Sequence, residues 1–142
     1  MKKLMLSLSL MCFSVVLFAQ KKADDVAKFK ADVIDLGKIE QGNPSTATFY
    51  LSNISSEPLI IEQANPTCGC TIGDYTKAPI AKGKEGWIKA TYNAANLGTF
   101  DKKLTVKFAG VDEIKNITIK GEVVSKEEFE KLKKEKPAKT KG

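Results

Sequence analysis

Two cysteines separated by one glycine, Cys68-Gly69-Cys70, are the residues of this chain whose types and spacing could best do chemistry. The 142-residue sequence has no histidine, and its three methionines and its third cysteine, Cys12, all fall within the first 12 residues. If that N-terminal segment is removed, this thiol pair carries all of the redox, soft-metal and sulfur-nucleophile chemistry open to the chain.

The first interpretation of the pair is a disulfide between Cys68 and Cys70. Cysteines at positions i and i+2 have Cα atoms about 5.5–7 Å apart, which overlaps the permitted range of about 4.4–6.8 Å. We expect Gly69 to supply the backbone freedom that so small a ring needs. Because the closed loop is tiny, it adds little loop-entropy stabilisation. The pattern therefore favours a local loop lock or a redox-active bond over a structural staple.

Three other interpretations stay open for the same two cysteines. Reduced thiolates could hold Cu(I) at Cys68 and Cys70, whereas a zinc site normally needs four ligands, and this chain could complete one only with carboxylates. Both cysteines could also be buried as small apolar residues. Finally, they could form a disulfide or a thiol relay with a partner protein.

The remaining composition argues against an enzyme. Without histidine there is no Ser-His or Cys-His pair and no imidazole base, and no glycine-rich segment precedes a helix to hold phosphate. Asp74 and Tyr75 could be an acid and a base, but such residues more often close a loop. We therefore predict a non-enzymatic protein with no catalytic residue, no metal site and no cofactor.

The N-terminus has the pattern of a secretory signal peptide over residues 1–19. Two lysines precede an apolar run over residues 4–18, and Ala19 is a small residue suited to cleavage. The run is short for a membrane span of about 20 residues, and the large residues before Cys12 argue against a lipoprotein. We predict a periplasmic or secreted protein without a transmembrane segment after cleavage, in a compartment where cysteine pairs are usually oxidised.

The positive charge of the chain is concentrated at its ends. Residues 31–124 contain 10 lysines against 11 acidic residues, whereas residues 125–142 contain 7 lysines against 4 glutamates. A nucleic-acid interface needs a clustered basic face, usually with arginine or stacking aromatics, and the chain has no arginine. We predict no nucleic-acid partner, and we note that the lysine-rich tail could touch anionic lipid or glycan surfaces.

Between residues 29 and 124 the sequence consists of short apolar segments of period two, separated by Gly, Pro and Asn. Six such segments predict strands over 29–36, 45–51, 59–61, 86–92, 99–108 and 114–124, with a possible short one near 78–80. No helical period lies between them, so we predict an all-β, antiparallel, immunoglobulin-like sandwich of about seven strands. We expect Trp87, Tyr92 and Phe100 in its core.

The predicted domain is flanked by polar segments. Residues 20–28 have the composition of a linker, and residues 125–142 form a charged tail. Within that tail, Phe129 and Leu132 give residues 126–134 a weak helical period, and we expect disorder after Pro137.

The domain resembles the bacterial family of domains of unknown function numbered 1573. Thr67-Cys68-Gly69-Cys70-Thr71 corresponds to the family signature. The other landmarks occur in the family's order: 35–39 with 41–42, 48–53, 58–61, 79–83, 98–100 and 119–123. One departure is Lys82, which stands at the family's usual proline and removes a rigid turn residue. The resemblance implies an immunoglobulin-like sandwich of exported proteins and supplies no established activity.

These observations lead to two functional hypotheses. The first is an exported binding module of the bacterial cell envelope whose partner is an unknown protein or envelope component, with edge strands as a docking surface for strand addition. The alternative is a thiol-redox or Cu(I)-handling protein that uses Cys68 and Cys70. Asn53 and Asn116 begin N-glycosylation patterns, which we expect to be unmodified in a bacterial protein.

Overall fold

A computed structural model describes residues 19–136, which form two four-stranded sheets and one α-helix. The strands are β1 Ala27–Phe29, β2 Val33–Glu40, β3 Ser45–Asn53, β4 Ile61–Pro66, β5 Thr71–Tyr75, β6 Glu85–Tyr92, β7 Gly98–Phe108 and β8 Lys115–Val124. A 3-10 turn, Ala23–Asp25, precedes β1, and helix α1, Lys126–Glu135, follows β8. The predicted signal sequence up to residue 18, with Cys12, and the tail from Pro137 onward lie outside the described residues.

The two sheets pack face to face as a β-sandwich. The first sheet has the order β1-β3-β6-β5 and the second has the order β2-β8-β7-β4. All neighbouring strands are antiparallel except β2 and β8, which are parallel. The all-β prediction is confirmed, with eight strands in place of about seven and with one parallel pair, β2 and β8.

Alternate residues of the central strands fill the space between the sheets. The first sheet contributes the fully buried side chains of Phe49, Leu51 and Ile88, and the second contributes those of Leu104, Val106, Phe108, Ile117 and Ile119. Each such side chain contributes about 1.5–3 kcal/mol on removal from water. Strand alternation thus gives each sheet one buried and one outer face.

Two of the predicted strands have different boundaries in the structure. The segment predicted over 29–36 divides at a short link, so that Phe29 ends β1 and the chain then enters the second sheet as β2. β2 continues past Gly37, which has a φ of 67° and lies at a register shift. β4 begins at Ile61 and includes Pro66, which is tolerated because β4 is an edge strand.

The segment that the sequence suggests as a linker, residues 20–28, packs against the sandwich. Ala23, Val26 and Ala27 are all at least 98% buried, so the folded unit begins before residue 29. At the other end, Ser125 caps helix α1 by accepting a hydrogen bond from the Glu128 N–H at 3.3 Å. The helix buries none of its residues.

Candidate functional site

The two cysteines lie in the four-residue connection, residues 67–70, that takes the chain from β4 in the second sheet to β5 in the first. Cys68 and Cys70 are joined as a disulfide with their Cα atoms 5.4 Å apart. Both residues are half-buried, and Cys70 packs against the hydrophobic core. Of the four interpretations open to sequence reasoning, the structure therefore has the local disulfide.

Hydrogen bonds from other strands fix the backbone on both sides of the disulfide. The N–H and hydroxyl of Thr67 both donate to the carbonyl of Lys103 on β7, at 3.0 and 3.1 Å. On the other side, the N–H of Asn93, just after β6, donates to the carbonyl of Cys70 at 3.0 Å. The connection is thus tied to both sheets by bonds that do not involve sulfur.

Thr71, the first residue of β5, lies next to the disulfide. The sequence alone did not indicate a role for this residue. The residue is 97% buried, and its Oγ1 lies 3.7 Å from Cys68 Sγ. Its N–H also donates to the Cys68 carbonyl at 3.4 Å. A buried hydroxyl is therefore directed at one of the two sulfur atoms.

Gly69 does not have the role that the sequence suggested. Its φ lies outside the left-handed region, and a Cβ built on it would have no heavy atom within 4 Å. The expectation that this small ring needs glycine's backbone freedom is therefore wrong for this structure. Gly73 on β5, in contrast, is constrained, because a Cβ there would overlap the carbonyl oxygen of Ala64 on β4.

The other chemical candidates of the sequence have structural contacts. Asp74 and Tyr75 lie within β5 and do not close a loop. The Tyr75 hydroxyl donates to the Glu62 carbonyl at 2.7 Å, which links the two edge strands β5 and β4. Cu(I) binding would first require reduction of the disulfide, and residues 19–136 contain no group of three or more His, Cys, Asp or Glu side chains placed to hold a metal.

A second candidate site lies on the outer face of the first sheet, where Tyr50 of β3 pairs directly with Trp87 of β6. Tyr50 is 46% exposed and Trp87 is half-buried. The prediction that Trp87 belongs to the core is therefore wrong, because its neighbour Ile88 points inward and is fully buried. Tyr92 and Phe100 do lie in the core, where their rings stack at 4.1 Å.

Two lysines, Lys30 and Lys89, lie beside this aromatic pair. Lys30 Nζ lies 5.3 Å from the centroid of the Tyr50 ring and 2.7 Å from a carboxylate oxygen of Glu85. Lys89 Nζ lies 4.7 Å from the Trp87 ring. Such cation–π contacts hold the ammonium groups beside the rings. We call Tyr50, Trp87, Lys30 and Lys89 the aromatic face.

Asn53, at the end of β3, is fully buried and has every hydrogen-bonding group satisfied. Its side-chain amide donates to the carbonyls of Glu57 at 2.7 Å and Ile80 at 2.8 Å, and its side-chain oxygen accepts from the N–H and hydroxyl of Ser55. The amide nitrogen cannot carry a glycan in this fold. Asn116 is exposed.

Lys115, the first residue of β8, ties the N-terminal segment to the second sheet. Its Nζ lies 2.8 Å from Asp24 and 3.1 Å from Asp32, and its side chain is only 16% exposed. Burial acts to lower the pKa of Lys115, but the hydrogen bonds and charges of the two carboxylates outweigh it and raise the pKa. This cluster fixes the segment that leads into β1.

The two stacked sheets and their eight strands define an immunoglobulin-like sandwich domain. The chain belongs to the family described as "Protein of unknown function (DUF1573)", whose model matches residues 27–123. No curated protein matches the chain. Within residues 19–136, no helix has the length and apolar character required to span a membrane.

Several solved structures share this fold. A protein of unknown function from Porphyromonas gingivalis aligns with a TM-score of 0.60 at 15% identity, over 78% of this chain and 50% of that one. The ASH/PapD-like domain 7 of human CEP192 aligns with a TM-score of 0.55 at 12% identity, over 71% and 87%. The Vibrio cholerae VesB protease aligns with a TM-score of 0.53 at 17% identity, over 71% and 33%. The chain thus spans about half of the first of these proteins, and at these identities the likeness concerns the fold.

Proposed function

We propose that this chain is an exported immunoglobulin-like binding module of the bacterial cell envelope, and that it holds a protein partner through its aromatic face. The observation that carries the proposal is the pairing of Tyr50, which is 46% exposed, with the half-buried Trp87 on the outer face of the first sheet. Tryptophan and tyrosine bury large areas with little loss of side-chain entropy, and they dominate the energetics of protein interfaces.

The surroundings of the pair favour a protein with an acidic rim. Two outward residues lie directly opposite Lys89 on the neighbouring strands, Thr48 on β3 and Asp74 on β5. Within the described part of the chain, Lys89 has no carboxylate within ion-pair distance, and Lys30 is 60% exposed at its side chain. Carboxylates around an apolar centre would complement these ammonium groups and speed association.

The edge strands are less suited to strand addition than the sequence alone suggests. β4 and β5 approach each other closely at Ala64 and Gly73, and the Glu62 carbonyl of β4 already accepts a hydrogen bond from the Tyr75 hydroxyl of β5. β2 is interrupted by the register shift at Gly37, and β1 has only three residues. Bulges and short edges of this kind oppose pairing with another chain, which leaves the aromatic face as the preferred surface.

Export is the second part of the proposal. It is supported by the pattern of residues 1–19 and by a pair of cysteines joined in the folded domain, which suits an oxidising compartment. Intact-mass measurement on protein recovered from the native envelope fraction tests it. We expect the mass of a chain that begins at Gln20. The mass of a chain that retains Met1 would contradict export by a cleaved signal.

Binding is tested with wild-type protein and a Tyr50→Thr/Trp87→Thr variant as baits for envelope extracts. Threonine is favoured in strands, and the matched control, Lys103→Ala/Asn116→Ala, truncates exposed side chains on the second sheet. We expect one identified protein whose affinity, titrated with purified components, falls by at least about 30-fold for the aromatic variant, or about 2 kcal/mol. Equal affinity for all three baits, or no enriched protein, would contradict the proposal.

A further inference from the structure

We propose that the Cys68–Cys70 disulfide is a reversible thiol–disulfide exchange site that accepts two electrons from a dithiol of another protein, with the Thr71 hydroxyl holding the thiolate of Cys68. This activity is separate from the binding face, because it uses the β4–β5 connection and its own buried hydroxyl group. It stands or falls independently of the function proposed above.

The first step of the argument is that the bond contributes little to the fold. The two cysteines are two positions apart in sequence, so the bond closes almost no loop and constrains the unfolded chain only slightly. Stabilisation of the folded state by this disulfide is correspondingly small. Opening the bond therefore carries little of the folding penalty that protects long-range disulfides from reduction.

The second step is that the connection keeps its shape when the bond opens. Thr67 is held by two hydrogen bonds to Lys103, and the Cys70 carbonyl accepts from Asn93. None of these bonds involves a sulfur atom. The two thiols of the reduced form would stay in place for re-oxidation. The domain would therefore be folded in both the oxidised and the reduced state of the pair.

The third step is the asymmetry between the two sulfur atoms. Thr71 as a residue is 97% buried, and the hydrogen-bond partner of its hydroxyl in the described residues is Cys68 Sγ at 3.7 Å. In the reduced form this hydroxyl can donate to a thiolate at Cys68, and hydrogen bonding to the charged form lowers a thiol pKa. Cys68 is therefore the better leaving group.

The exchange follows from that asymmetry. Cys70 packs against the core but is only half-buried, so a partner thiolate can approach it. That thiolate attacks Cys70 Sγ, the Cys68–Cys70 bond breaks, and its electron pair leaves as the Cys68 thiolate beside Thr71. The partner's second thiolate then attacks the partner's own sulfur in the mixed disulfide, which releases Cys70. The partner ends as a disulfide, having lost two electrons and two protons, and the two cysteines end as thiols.

The test uses the full chain in a Cys12→Ser background, so that only this pair is counted. The protein is equilibrated with a peptide containing a Cys-Xaa-Xaa-Cys pair at graded ratios of reduced to oxidised peptide. The mixture is quenched by alkylation, and the intact mass of the protein is measured. We expect one reversible two-electron transition, stoichiometric oxidation of the peptide, and the same β-sheet circular dichroism for both forms. A bond that does not exchange, or a domain that unfolds on reduction, would overturn the proposal.

Thr71→Val is the variant that separates the exchange site from an inert loop lock, because it keeps the buried shape and removes the hydroxyl. We expect the equilibrium at pH 8 to move about tenfold toward the disulfide, as for loss of one hydrogen bond to a charged group. In a Cys70→Ala background, the pH profile of alkylation at Cys68 should move to higher pH with Thr71→Val. If both the alkylation pH profile and the thiol–disulfide equilibrium were unchanged by Thr71→Val, the proposed role of the Thr71 hydroxyl would be wrong.

Discussion

The outer faces of the two sheets differ although both are built by the same strand alternation. On the first sheet, Tyr50 and Trp87 form an aromatic pair bordered by lysines. On the second sheet, the outward positions of β7 and β8 carry charged and small polar side chains. Exposed members of that set are Asp101, Lys103, Asn116 and Lys120.

This difference separates what the fold needs from what it does not. Both inner faces are apolar because the core requires it, and the second sheet shows that a polar outer face is sufficient for the fold. The aromatic pair on the first sheet is therefore not explained by packing of the sandwich. That contrast supports the proposal that the outer face of the first sheet binds a partner.

The largest expected effect contrasts the two asparagines that begin glycosylation patterns, one on each sheet. Asn53→Ala removes four hydrogen bonds and leaves the buried Ile80 carbonyl without its side-chain donor. We expect a loss of about 3 kcal/mol or more in the free energy of unfolding, measured in urea. Asn116→Ala, on the exposed face, should change it by less than about 0.5 kcal/mol.

Equal stability of these two variants would contradict the conclusion that the hydrogen bonds of Asn53, at the end of β3, stabilise the fold. A large effect of Asn116→Ala would show that the polar outer face also stabilises the fold. Either result would break the contrast between the two sheets.

The next effect concerns the edge where the two sheets approach each other. Gly73→Ala places a methyl group against the Ala64 carbonyl oxygen, and backbone cannot move away without shifting β4 or β5. We expect a loss of about 2 kcal/mol, within the usual range for overpacking. Gly69→Ala is the control inside the disulfide ring and should change the unfolding midpoint very little, since its Cβ meets open space.

If Gly69→Ala were the more damaging substitution, the small ring would need glycine after all. The close approach of Gly73 to Ala64 would then not be the contact that limits side-chain size where β4 and β5 meet. Urea midpoints of the two variants, measured with the disulfide intact, decide between these outcomes.

The sequence was most informative where local period and burial agree. The strands over β3, β6, β7 and β8 were predicted close to their observed positions, since each alternates strongly and pairs with a neighbour. Trp87 could have been placed correctly as well. Ile88, Ala90 and Tyr92 share one parity, so Trp87 must lie on the opposite face.

Other features were beyond sequence reasoning because they depend on contacts between distant segments. β5 is five residues long and contains Gly73 and Asp74, which are poor strand formers; its pairing with β6 is set by the fold. The buried amide of Asn53 finds its acceptor at Ile80, 27 residues away. The burial of Ala23 and Val26 likewise depends on packing against strands that come later in the chain.

The smallest expected effect is the pH dependence of the ion pairs by which Lys115 holds the N-terminal segment to the second sheet. The folded-state pKa of Lys115 is raised by Asp24 and Asp32 against the opposing effect of burial, so its ion pairs stabilise the fold below the ordinary lysine pKa of about 10.5. That stabilisation is lost as pH rises through the higher folded-state pKa. Both carboxylates are more than half exposed and screened by solvent, so Lys115→Met should cost less than about 1 kcal/mol at pH 7.

Urea unfolding at pH 7, 9 and 11.5 measures the gap in free energy of unfolding between wild type and Lys115→Met. We expect this gap to close only at the highest pH. Lys120→Met, whose nearest carboxylate is 4.0 Å away, gives the baseline. A gap that persists at pH 11.5 would assign the effect to the packing of the lysine stem near Phe29, and the N-terminal segment would then be held to the second sheet by contact rather than by charge.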